Sequence, residues 1–350
     1  MNAANTRASK LKILIASPLE DEHVERIRAF DPERYEVIHE KELMAKPRYV
    51  ADHNGAPRTL TEGQKARWAE CLTQADILFD FDRLDAANMP VNAPNLRWVQ
   101  ATSSGIGEFL RRTELDKSDI AFTTASGVHA RPLAEFVMLG LLYFFRDVPF
   151  LNAEKQAHRF ERYTARGLEG ARILVVGLGA LGAAVALDCS RFGVEVWGTR
   201  RRSGVEAPEG VSRLIDLQDI KSVLPEVDAL VLACPLTEET RRLIDTAEIA
   251  ALKPGAVIVN ISRGQVINEA AMIDALTSGH LRGAALDVFE VEPLPKESPI
   301  WDLPNVLISP HSASTVDAEN TRIVDIFLDN LGRFERGEPL RNLYDRARGY

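Results

Sequence analysis

Apolar runs bounded by turn residues alternate with helical patterns along most of the chain. Leu11–Ser17, Ile77–Phe81, Leu96–Ala101 and Ile120–Thr124 predict short buried strands, with helices between them at Glu20–Phe30 and Thr61–Thr73. A second series starts at Ala171. Its strands are expected at Ile173–Val176, Val194–Gly198, Ala229–Ala233, Ala256–Ile261, Gly283–Val288 and Val306–Ser309. Six strands with intervening helices are what a doubly wound dinucleotide domain requires.

Two helices fall outside this alternation. In Arg131–Arg146 the residues Leu133, Phe136, Val137, Leu139, Leu141, Leu142 and Phe144 spread around most of the helix surface. That pattern predicts burial within the chain or in a subunit interface, and a homodimer is expected. The last helix, Val316–Arg336, carries Val324, Phe327, Leu331 and Phe334 at helical spacing but has no sheet of its own. It is expected to cross back and close the first domain. The predicted architecture is α/β with two Rossmann-like domains. The first is flavodoxin-like and discontinuous, over 1–127 and 312–350; the second is doubly wound, over 128–311. Met44–Gln64, interrupted by Pro47, Gly55 and Pro57, predicts a long loop.

Composition narrows the class. A chain of 350 residues exceeds what one core usually supports. A net charge of -9 argues against nucleic acid as a partner. Cys71, Cys189 and Cys234 show neither CxxC nor metal spacing, and the last two sit in apolar runs as expected core thiols. The start MNAANTRASK lacks the apolar region of a signal peptide, and no stretch of about 18 apolar residues occurs. No membrane partner is expected, and the compartment expected is the cytoplasm.

The segment Ile173–Gly182 joins an apolar strand to a glycine-rich turn and the predicted helix Leu181–Phe192. In that context GxGxxG is a specific dinucleotide signal. Gly177 permits the tight turn, Gly179 lets a pyrophosphate approach the backbone, and Gly182 permits close helix–strand packing. The phosphates then meet the helix start at Ala180 and Leu181. The next strand ends in Thr199, Arg200 and Arg201, where an NAD site usually has an acid for the ribose hydroxyls. Glu195 lies mid-strand, too early to reach. Cations in that place suit a 2′-phosphate, so NADP is expected as the preferred cofactor, with NAD possible. The alternative is a solvated basic turn whose Arg200 stacks on adenine.

Together with Gly177–Gly182, the segments Cys234–Asp245, Val259–Gly264, Ala285–Pro293, Ser309–Ser314 and Gly337–Asn342 resemble the D-isomer-specific 2-hydroxyacid dehydrogenases. The resemblance covers about residues 95–345. It implies hydride transfer between NAD(P)H and a small 2-keto acid or D-2-hydroxy acid, with glyoxylate and hydroxypyruvate as first candidates. Such a reaction needs a carboxylate anchor, a proton donor for the carbonyl oxygen and a held hydride donor. Arg263, Glu292 and His311 end successive predicted strands, and singly each is an ordinary structural residue. The resemblance makes Arg263 the binder of substrate carboxylate and carbonyl, His311 the general acid and Glu292 the partner of its imidazole. It also places Cys234, Pro235, Thr237, Ser262 and Asp287 along the cofactor. Asp287, at the end of an apolar strand, has a structural hydrogen-bonding role as its alternative.

In the first domain, Ser104 and Gly105 belong to a glycine turn whose N–H groups can bind the substrate carboxylate; a plain strand–helix turn is the other reading. A dinucleotide-sensing binding protein of corepressor type, built on the same fold, is the alternative function.

Overall fold

The computed structural model describes residues 10–200 and 206–349. Contacts divide the chain into two units, one running to Val128 and resuming at Thr315, the other His129–Ser314. These divisions fall one and three residues later than those expected. Val128 packs with Ala125 and Ile323 in the first unit, and Ala313 packs on a core of the second.

The first unit holds five parallel strands, β1 (Leu11–Ile15), β2 (Tyr35–Ile38), β3 (Ile77–Phe79), β4 (Trp98–Gln100) and β5 (Ala121–Thr123). Their order is β2-β1-β3-β4-β5, the flavodoxin-like arrangement. Strand β2 has no counterpart among the predicted strands. It lies at the sheet edge with Glu36 exposed, so its apolar signal is weak. One face of the sheet packs Ile13, Phe79 and Trp98 against the helix Glu319–Arg336, where Phe327 meets Phe79 edge-on at 5.2 Å. That helix, which starts three residues later than predicted, therefore returns to the first sheet.

The loop expected at 44–64 is closed by hydrogen bonds. The buried Asp52 carboxylate accepts from Arg48 Nε at 2.7 Å and from the Gly55 N–H at 3.0 Å. His53 Nε2 lies 2.7 Å from Asn320 Oδ1 in the last helix.

The second unit holds seven parallel strands: β6 (Arg172–Val176), β7 (Glu195–Thr199), β8 (Val211–Ile215), β9 (Ala229–Leu232), β10 (Ala256–Asn260), β11 (Leu281–Leu286) and β12 (Val306–Ile308). Their order is β12-β11-β10-β9-β6-β7-β8. Strand β8 has no counterpart among the predicted strands; Ser212, Arg213 and Leu214 are exposed on this edge strand. Strands β9 and β10 are buried throughout, since apolar clusters cover both faces of the sheet. Chain order reverses between β6 and β9, whose last residues Val176 and Leu232 are partners. Ligands of open α/β sheets bind outside the carboxyl ends at such a reversal.

The apolar helix, here Ala130–Phe145, buries Val137, Leu141 and Phe144 against this sheet but leaves Leu139 half exposed. Among the described residues, no helix is long and apolar enough to cross a membrane.

Candidate active site

The turn after β6 is shaped by its glycines. Gly177 has φ of 97°, a left-handed backbone that a side chain resists. A Cβ at Gly182 would lie 1.9 Å from the Gly177 carbonyl oxygen, so only glycine lets the helix Ala180–Arg191 start this close to the strand. Gly179 differs, because a Cβ there would meet no atom within 4 Å. The turn is thus open at Gly179, beside a helix start with no side-chain cap. Ala180 and Leu181 form its first turn. This geometry fits a pyrophosphate, whose oxygens would accept from backbone N–H groups.

At the end of β7, the buried Thr199 accepts from the Gly177 N–H through Oγ1 at 3.1 Å. Arg200 lies across the same turn. Its Nε donates to the Leu178 carbonyl at 3.3 Å and its Nη1 to the Glu206 carbonyl at 3.1 Å. Arg201 lies outside the described residues. Glu195 is engaged elsewhere, with Trp197 Nε1 at 2.8 Å and Arg172 Nε at 3.1 Å. No acid from β7 therefore competes with Arg200 for this corner.

Beyond β9, the Cys234 thiol is buried and pushed up to about 12 by that burial, so it is no nucleophile. Pro235 and Thr237 belong to a turn closed by Thr240. The Thr240 hydroxyl donates to the Pro235 carbonyl at 2.7 Å and accepts from the Thr237 N–H at 2.8 Å.

Three further chain segments meet beyond β10, β11 and β12, which are neighbours in the sheet. His311 Nδ1 lies 2.8 Å from Glu292 Oε2, and Glu292 Oε1 accepts from the Phe289 N–H at 3.0 Å. The hydrogen bond to Glu292 raises the His311 pKa above the ordinary histidine value, against burial and Arg263, which lower it; the charges of Glu292 and Asp287 add to the rise. For Glu292, burial raises the pKa. The bonds from His311 and Phe289, with the charges of His311 and Arg263, outweigh it and leave the carboxyl below its ordinary value. The Arg263 charge thus acts on both partners. Arg263 Nη1 donates to the Ser262 carbonyl at 2.7 Å. The His311 side chain stays 46% exposed.

Asp287 is almost fully buried. Its Oδ1 accepts from Ser309 Oγ at 2.7 Å and from the Ala313 N–H at 2.9 Å, while its carbonyl accepts from the His311 N–H at 2.9 Å. It therefore pins the segment that carries His311, in line with the structural alternative.

Asn260, not singled out in the sequence, sets the arginine turn. Fully buried, it accepts through Oδ1 from Ser262 Oγ at 2.8 Å and the Ser262 N–H at 3.1 Å, and donates from Nδ2 to the Arg263 carbonyl at 3.2 Å. Only its place in a buried strand end, where an amide needs partners, could have flagged it. In the first unit, Ser104 and Gly105 are exposed after β4, in the turn that leads to the helix Gly107–Arg112.

A sequence model of the D-isomer specific 2-hydroxyacid dehydrogenase NAD-binding domain matches residues 138–313. The chain belongs to this family. The matched segment contains Gly177–Gly182, Arg263, Glu292 and His311. A glyoxylate reductase of Korarchaeum cryptofilum is 32% identical over 262 residues, 73% of this chain and 77% of that one. Among solved structures, a D-isomer specific 2-hydroxyacid dehydrogenase from Xanthobacter autotrophicus Py2, in complex with NADPH and MES, superposes with a TM-score of 0.78. It is 30% identical and covers 98% of this chain and 100% of that one. An NADPH-dependent glyoxylate/hydroxypyruvate reductase from Sinorhizobium meliloti, in complex with NADP and sulfate, gives 0.76 at 27% identity, over 97% of this chain and 100% of that one. As a D-2-hydroxyacid dehydrogenase family member the protein is an NAD(P)-dependent oxidoreductase on two Rossmann-like units.

Proposed function

We propose that this family member reduces glyoxylate to the achiral glycolate or hydroxypyruvate to its D-2-hydroxy acid, with NADPH preferred over NADH. The observation that carries the reading is the 2.8 Å His311–Glu292 pair, both members of which feel the Arg263 charge. The names of the relatives in K. cryptofilum and S. meliloti, and the NADP bound in the latter, support the substrate and cofactor.

Arg263 binds the substrate carboxylate and polarises the neighbouring carbonyl, as a planar, permanently charged fork can. In the first unit, the N–H groups of Ser104 and Gly105 are the candidates for binding a carboxylate. His311 gives its Nε2 proton to the carbonyl oxygen as negative charge develops there. Glu292, on Nδ1, fixes the ring and keeps the imidazolium available near neutral pH. The nicotinamide cofactor, when bound, supplies the hydride. Gly177, Gly179, Ala180, Leu181 and Gly182 hold its pyrophosphate, and Thr199, Arg200 and Arg201 take the 2′-phosphate. Cys234, Pro235, Thr237, Ser262 and Asp287 line the remainder.

The assembly proposed is a homodimer. Leu139 and Phe192 flank one groove of the second unit, both 51% exposed, and Phe160, after the helix Val148–Gln156, is 100% exposed. The compartment proposed is the cytoplasm, a setting suited to the buried, unpaired Cys71, Cys189 and Cys234. A panel of 2-keto acids assayed with NADPH and NADH tests the function. Glyoxylate or hydroxypyruvate with NADPH should give the highest kcat/KM; no turnover on any 2-keto acid overturns the reading.

A further inference from the structure

We propose that Gln265 and Glu269 are positioning residues for the proton donor, acting by gripping the Glu290 peptide from both sides. The inference rests on the reading of His311 and Glu292 given above. Residues 290–293, which carry Glu292, are exposed, so apolar packing does not hold them in place. Hydrogen bonds do. Gln265 Nε2 donates to the Glu290 carbonyl at 2.9 Å, and the Glu290 N–H donates to Glu269 Oε2 at 2.9 Å. Both backbone groups of one exposed residue are therefore taken by side chains from one short segment.

That segment begins at Arg263. Gln265 lies in the turn Gly264–Val266, and Glu269 is the first residue of the helix Glu269–Thr277. Gly264 sits directly under the gripped peptide, since a Cβ there would lie 1.9 Å from the Phe289 carbonyl carbon and 2.3 Å from the Glu290 nitrogen. One residue earlier in the chain, the Phe289 N–H donates to Glu292 Oε1, and the other oxygen of Glu292 meets His311. The carboxylate anchor and the imidazole's partner are thus referenced to one piece of backbone. Without the grip, a charged and exposed Glu292 gains freedom to turn to water and loses its fixed bond to Nδ1.

Neither residue touches the reacting atoms, so the readout is the His311 imidazole itself. The groups acting on it are Glu292, Asp287 and Arg263, and the charged group facing Glu269 is Glu290. NMR titration of the protein saturated with NADP⁺, with the His311 signal assigned by its loss in His311→Asn, measures its pKa. Gln265→Ala and Glu269→Ala should each lower it by on the order of half a unit. Glu269→Gln, which keeps an acceptor for the Glu290 N–H, should restore the wild-type value. In a Glu292→Gln background the alanine variants should add no further shift. Should an alanine variant fail to fold, Gln265→Met and Glu269→Met keep the volume and answer the same question.

An unchanged His311 pKa in both truncations overturns the proposal. So does a Glu269→Gln shift equal to that of Glu269→Ala, because charge rather than the grip would then be responsible. If the imidazole pKa falls while the pH dependence of kcat/KM stays fixed, the positioning stands and the assignment of His311 as proton donor fails.

Discussion

His311 Nδ1 meets Glu292 Oε2 at 2.8 Å from a left-handed backbone, with φ of 53° at His311. A side chain rarely adopts that conformation unless its surroundings impose it. Here the His311 N–H is bound by the carbonyls of Asp287 at 2.9 Å and Ser309 at 3.0 Å. The imidazole is aimed by the backbone on one side and by a carboxylate on the other.

This pair predicts a pH effect with a definite sign. Glu292 raises the His311 pKa, so it widens the range in which the imidazolium needed for reduction is present. Glu292→Gln should move the upper pH limit of kcat/KM for reduction downward. The reverse reaction needs neutral His311, so its lower pH limit should move downward as well. Rate–pH profiles in both directions check this, and an upward shift in either contradicts it.

Cofactor choice follows from Arg200, which lies across the glycine turn where other members of this fold class place an acid. A hydrogen bond to a charged group contributes roughly 1.5–3 kcal/mol, or about tenfold and upward in preference. NADPH should therefore exceed NADH in kcat/KM by about tenfold or more, and Arg200→Asp should reverse the order. Equal use of both by the wild-type protein would remove the basis for the 2′-phosphate site.

Association is predicted from apolar surface left uncovered on the helix Ala130–Phe145, at the end of the helix Ala180–Arg191 and after the helix Val148–Gln156. Leu139, Phe192 and Phe160 are too exposed for a monomer to leave in water without cost. Light scattering should report about twice the chain mass, and Leu139→Asp with Phe192→Asp should shift it toward one. A monomer at every concentration would contradict the dimer.

The strands that the apolar runs predict include every one in the middle of each sheet, because burial on both faces leaves a continuous signal, and two edge strands, β5 and β12, with no exposed position. The two that escaped, Tyr35–Ile38 and Val211–Ile215, are edge strands with exposed positions such as Glu36 and Arg213. Glycine spacing announced the turn at Gly177–Gly182, since its backbone demands are local. Asn260, Gln265 and Glu269 gave no such sign. They act through hydrogen bonds to the backbone of Arg263 and Glu290, and in Gln265 and Glu269 the partner lies more than 20 residues away. Asp287 shows a middle case: an apolar strand end says that a carboxylate needs partners, but only the fold names Ser309 and Ala313.

The central claim is that His311 delivers the proton as a 2-keto acid is reduced. Its most direct test is a single-turnover experiment, mixing the NADPH-saturated protein with glyoxylate and following NADPH absorbance in the wild type, His311→Ala and Arg263→Ala. A positioned general acid contributes about 10²–10⁴-fold, so His311→Ala should slow the saturated rate by about that factor with NADPH affinity unchanged. Arg263→Ala should chiefly raise the glyoxylate concentration needed for half the maximal rate. A His311→Ala protein that reduces glyoxylate at the wild-type rate would contradict the account.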